Sequence, residues 1–197
     1  MRTLNIVKDN RSHNTRPKRP FIQGNLDGYC GIYSIVNAIH YLCGPISKTR
    51  GNELLYEGLK RLEAKQAVVE CVIDGMSGRD IRAVLDGGIS KQYGLSVKKP
   101  FHCKKSVPLD VVWNHMAAFL KNNHGVIVLG LEGKHNHWSL VNKVTDKSLL
   151  LFDSSHRRYL PKRNCTTCDK GDSQMHYISP THLIYLNRHH HTGGNHE

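Results

Sequence analysis

The chain has 197 residues, enough for one domain with a hydrophobic core and short for two. Hydrophobic residues make up 39% and the mean hydropathy is -0.47, and no apolar run approaches the roughly 20 residues that cross a bilayer, so a membrane-spanning helix is excluded. The net charge of +12, from 28 Lys and Arg against 16 Asp and Glu, favours an acidic partner, nucleic acid or an anionic lipid surface; a solvated basic face is the plainer reading.

Residues 1–20 read as a basic arm carrying Arg11, Arg16, Lys18 and Arg19, with Thr3 to Val7 as a short leading strand and Pro17 and Pro20 against any helix. The arm has no apolar stretch of the kind a secretory signal needs. The expected compartment is the cytoplasm, with export without a cleavable signal as the alternative. There, six cysteines at 30, 43, 71, 103, 165 and 168 stay reduced, each as core filler, metal ligand or nucleophile. Residues 188–197 read as a His/Gly-rich tail, which leaves 21–187 as the ordered domain.

Within that domain helices come first. Gly31 to Leu42 places Ile32, Ile35, Val36, Ile39 and Leu42 on one helical face. Asn52 to Gln66 repeats the pattern with Leu54, Leu55, Leu59 and Leu62. Ser77 and Asp80 form a capping signal for a short helix through Leu85. Pro108 opens another helix carrying Val111, Val112, Met116, Phe119 and Leu120. Strands follow: His124 to Leu131, Trp138 to Val144, Ser148 to Phe152 after the turn Thr145-Asp146-Lys147, and His182 to Leu186. This order predicts an α+β domain in which N-terminal helices pack on a C-terminal antiparallel sheet.

One segment carries chemistry. In Gln23-Gly24-Asn25-Leu26-Asp27-Gly28-Tyr29-Cys30, a Gly-rich loop runs into a cysteine at the start of an amphipathic helix. The positive end of the helix dipole stabilises a thiolate there, and first-turn N–H groups without helical partners can donate to an oxyanion. Gly24 and Gly28 are read as letting the backbone approach a substrate. Gln23, seven positions before Cys30, is a candidate second oxyanion donor, and Asp27 a shaper of the turn.

A thiolate needs a base, and the base an orienting group. His137 begins one apolar strand and Asp153 ends the next, 16 residues later. In an antiparallel hairpin the start of one strand faces the end of its partner, so the two are expected to be neighbours. His135 shares the strand face with His137 and is the rival base.

Gln23, Cys30-Gly31, His137-Trp138 and Asp153, in that order, resemble the papain-like cysteine peptidases, most closely the double-glycine leader peptidases of bacteriocin exporters. The resemblance implies a papain-like fold, with Cys30 as nucleophile, His137 as base, Asp153 as orienter and Gln23 as oxyanion residue. Cys30-Gly31-Ile32-Tyr33 and His137-Trp138-Ser139-Leu140-Val141, with Phe152-Asp153-Ser154, also resemble SUMO-specific proteases. In that family histidine and aspartate precede the cysteine, so the match requires a circular permutation. The resemblance covers the site segments and the coarse helix-then-sheet order, and not residues 44–123.

The expected function is a thiol peptidase acting on a protein or peptide, cleaving a peptide or isopeptide bond with no cofactor. An acyltransferase or transglutaminase-type enzyme on the same scaffold would use the same residues. An inactive scaffold that binds polyanions would use the charge instead. Cys165-Thr166-Thr167-Cys168 has the spacing of half a zinc knuckle, with His156, His176 or Cys103 as completers, or is a reduced loop pair. The run His189-His190-His191 reads as solvated.

Overall fold

The computed structural model describes residues 18–24, 27–65, 68–104, 106–133, 136–167 and 175–188. The leading strand expected at Thr3 to Val7 lies outside these residues, as does the expected tail except Arg188, which is a strand residue.

Apolar periodicity sets the first helix. α1, Cys30–Leu42, buries Ile32, Ile35 and Ile39 completely or nearly so. Each such side chain contributes about 2 kcal/mol by leaving water. Gly44 at φ +100° and Pro45 then end the helix. α2, Lys48–Glu63, begins earlier than the apolar pattern alone suggests, because Ser47 accepts from the Arg50 N–H and caps it. α3, Val68–Ile73, has no counterpart in the sequence reading. α4, Gly78–Val84, opens on the expected capping box: Asp80 Oδ2 accepts from the Ser77 N–H at 2.8 Å, and Ser77 Oγ accepts from the Asp80 N–H at 3.3 Å. A π turn, Leu85–Ile89, with Gly88 at φ +112°, leads into the short α5, Ser90–Gln92.

The chain then enters β1, Leu95–Lys98, a strand that the sequence pattern does not predict, and α6, Leu109–Asn122, which follows Pro108 as expected. Six further strands follow: β2 (Gly125–Gly133), β3 (His137–Val144), β4 (Ser148–Leu151), β5 (Tyr159–Pro161), β6 (Cys165–Thr166) and β7 (His176–Arg188). They form one sheet in the order β1-β7-β2-β3-β4-β5, antiparallel throughout that path, with β6 pairing parallel to β7. The α+β class is therefore as expected.

Helices cover both faces of the sheet, not only one. Val126, Val128, Leu140, Ile184 and Leu186 pack with α1, α2 and α4. Ile127, Leu129, Val141, Leu183 and Tyr185 pack with Val112, Trp113 and Met116 of α6. The alternation along β2 is the period-two pattern of a strand buried on both sides. Among the described residues, no helix is long and apolar enough to cross a membrane.

Candidate active site

Two backbone contacts lock α1 onto β3. The Trp138 N–H donates to Cys30 Sγ at 3.3 Å, and Ser34 Oγ, one helical turn later, donates to the Trp138 carbonyl at 3.0 Å. Cys30 is thus the first residue of α1 and is held beside the strand that carries His137. The N-cap residue, Tyr29, makes no side-chain cap, so it leaves the first-turn N–H groups to other acceptors.

His137 and Asp153 meet as the hairpin geometry predicts, with His137 Nε2 2.8 Å from Asp153 Oδ1. The register explains how. Val141 pairs with Leu151, and the Phe152 N–H donates to the Leu140 carbonyl, so continuing the ladder sets Asp153 opposite Ser139. Ser139 and His137 share a strand face, and the carboxylate reaches the imidazole along it.

The Asp153 side chain is fully buried, and its second oxygen is well supplied with donors. Oδ2 accepts from the Ser155 hydroxyl at 2.5 Å, the Ser155 N–H at 2.8 Å and the Arg157 N–H at 3.3 Å. Burial by itself would raise the carboxyl, but the hydrogen bond and charge of His137, with the serine donors, hold it well below the ordinary carboxylate range. Burial also disfavours the His137 imidazolium. The hydrogen bond and charge of Asp153, with Cys30 beside the ring, outweigh it and raise the imidazole to about 9. With Nε2 given to Asp153, Nδ1 is the ring nitrogen left for Cys30.

The Gln23 side chain lies against the loop that follows Asp153. The Gln23 backbone N–H donates to the Ser154 carbonyl at 3.1 Å, and the side-chain Oε1 accepts from Ser154 Oγ at 2.9 Å. Gln23 Nε2 donates to the Asp27 carbonyl at 3.2 Å, which takes one of its two hydrogens. Asp27 shapes the turn as expected, with its carboxylate accepting from the Gly24 and Tyr29 N–H groups.

The two glycines have different reasons from those expected. A Cβ on Gly24 would lie 2.9 Å from Asp27 Oδ2, and one on Gly28 would press on the Cys71 and Val72 carbonyl oxygens. The close approach at Gly28 is therefore to the end of α3 and not to a substrate.

Beside Cys30 and His137 opens a cleft of about 440 Å3. The Asp74-Gly75-Met76 loop forms one wall, and the end of β2 from Gly130 to Gly133 forms the other. Trp138 braces the first wall by donating Nε1–H to the Met76 carbonyl at 2.6 Å. The sequence reading misses this loop, the Trp138 N–H and Ser155. Of these only Ser155 leaves a signal, as a small hydroxyl residue two positions after a carboxylate that ends a strand.

Other candidates fall elsewhere. His135 and Cys168 lie outside the described residues. Cys165 is buried and donates to the Pro161 carbonyl at 3.3 Å, and burial pushes its thiol up to about 12, which opposes the thiolate form that zinc requires. Cys103 and His156 are exposed, and His176 is buried in β7. Among the described residues, no three His, Cys, Asp or Glu side chains gather to hold a metal ion. No protein-family model, curated protein or solved structure matches the chain.

Proposed function

We propose that the protein is a cysteine-dependent hydrolase of papain-like fold, a thiol peptidase that forms an acyl-enzyme on Cys30. The observation that carries this reading is the arrangement at the cleft: Cys30, whose Sγ accepts from the Trp138 N–H at 3.3 Å, lines it beside His137, and His137 Nε2 is 2.8 Å from the buried Asp153. His137, raised to about 9 and set beside the thiol, is the group that takes the Cys30 proton.

In the reaction, Cys30 Sγ attacks the scissile carbonyl and the C–O π electrons move to oxygen. We assign the Cys30 N–H and the second Nε2 hydrogen of Gln23 as donors to that oxyanion. As the tetrahedral intermediate collapses, the imidazolium gives its proton to the departing amine and the C–N bond breaks. His137 then takes a proton from water, which attacks the thioester, and the acid product leaves as Cys30 is regenerated. Asp153 stays ionised throughout and keeps the ring oriented. The substrate is a protein or peptide, and a reducing cytoplasm suits a nucleophile that must remain a thiol.

Incubation with a complex peptide mixture, read by mass spectrometry, tests the reading. New termini are expected with the parent protein and none with Cys30→Ala. Cleavage that survives Cys30→Ala would refute it, as would a parent protein that cuts nothing across the mixture.

A further inference from the structure

The cleft departs from the charge of the chain. The protein carries +12, yet among the described residues lining the cleft there is no Lys or Arg, while Asp74 and Glu132 supply a carboxylate from each wall. A basic molecule would ordinarily repel basic peptides; here the cleft is the acidic exception, and low-dielectric walls concentrate its field.

Glu132 is also held in place by an irregularity of the sheet. Leu129 pairs with Leu183 and Leu131 with Ile178, so four residues of β7, from Ser179 to His182, stand opposite the single Gly130. Bulges of this kind re-aim side chains beside functional sites. Here the bulge includes Pro180, which cannot donate to a ladder, and is braced by the Ser179 and Thr181 hydroxyls 3.1 Å apart. It turns His182 onto Trp138, with ring centroids 5.4 Å apart, and brings its Nδ1 2.8 Å from Glu132 Oε1. Gly130 is the residue that allows this: a Cβ there would lie 2.8 Å from His182 Cβ and 3.0 Å from the Trp138 ring. The His182 contact fixes the direction of the Glu132 carboxylate.

We propose that Glu132, assisted by Asp74, is a specificity determinant that selects substrates with a lysine or arginine within a residue or two of the bond attacked by Cys30. The proposal rests on the peptidase reading of the same cleft. Both carboxylates remain partly exposed, so they attract a basic side chain without a buried charge having to be compensated.

The test uses two peptidyl chloromethyl ketones that are identical except for Arg or Glu beside the warhead, with iodoacetamide as an uncharged reference, all on the full chain. The Arg probe is expected to label Cys30 on the order of tenfold faster than the Glu probe. Glu132→Gln, which keeps a hydrogen-bond partner for His182, is expected to lower that ratio about threefold, and added salt to lower it further. Fast iodoacetamide labelling of Cys30 with no preference between the peptidyl probes, or with preference for Glu, would overturn the substrate class and leave the peptidase reading standing. An unchanged ratio in Glu132→Gln would overturn the role of Glu132. A Cys30 slow toward every reagent would overturn both readings.

Discussion

The Trp138 N–H donates to Cys30 Sγ at 3.3 Å, so the sulfur is positioned by the backbone of the residue that follows His137. Thiol and imidazole are thereby set against one another by strand geometry as well as by their own side chains. Side-chain substitutions around the pair should change its chemistry more than its placement, which makes them informative.

Asp153→Asn removes the negative charge that supports the His137 imidazolium while keeping the shape. Peptide cleavage is expected to fall by about a hundredfold or more, mostly in kcat. Steady-state kinetics on any cleaved peptide measure it, and a loss confined to KM would argue for substrate binding instead.

The same pair predicts a pH dependence of stability. His137 is raised to about 9, against about 6.5 in an unfolded chain, so its contribution is fully present below about 6.5 and is lost as pH rises through about 9. Asp153 is lowered, so its contribution is present above the unfolded value of about 3.9 and is lost as pH falls below it. The Tm advantage of the parent over Asp153→Asn should therefore be largest near about pH 5 to 6 and narrow toward about pH 9.5. A constant difference over that range would contradict the assignment.

Ser155 places its hydroxyl 2.5 Å from Asp153 Oδ2 and 3.4 Å from His137 Nε2. We expect Ser155→Ala to move the alkaline limb of peptide cleavage to lower pH, because a less well-held carboxylate makes His137 a weaker base. Ser155→Thr keeps the hydroxyl and should restore the parent profile. An alanine variant with an unmoved alkaline limb would show that the serine only shapes the loop.

Gly28 lies where α1 begins and α3 ends. A methyl group there meets two backbone carbonyl oxygens, which cannot rotate away as a side chain could. Gly28→Ala is expected to cost about 2–3 kcal/mol in urea denaturation, with the start of α1 displaced. A cost below about 0.5 kcal/mol would mean that α3 gives way easily.

The readable parts of the molecule were those governed by a local period. Ile32, Ile35 and Ile39 announce α1, Ser77 and Asp80 announce α4, and the hairpin from His137 to Asp153 follows from two apolar strands with a turn between them. The partnership of His137 and Asp153 was legible because antiparallel pairing converts sequence separation into proximity. The rest depends on distant contacts. β1 is four residues long and is strand because it pairs with the end of β7. α3 has one buried residue, Cys71, too few to show a period. The bulge that directs His182 toward Glu132 exists only where β2 and β7 meet, and the second helix-covered face of the sheet depends on where α6 packs. Gly28 shows the same limit from another side: its sequence suggested room for a ligand, and α3 occupies that room.

The most direct test is iodoacetamide labelling from about pH 4 to about pH 9, mapped by peptide mass spectrometry, on the parent and on His137→Ala. An activated pair predicts that Cys30 alone reacts fast well below about pH 8, and that it slows sharply without His137. If Cys30 reacts no faster than the other five cysteines, or is indifferent to His137→Ala, the catalytic account is contradicted.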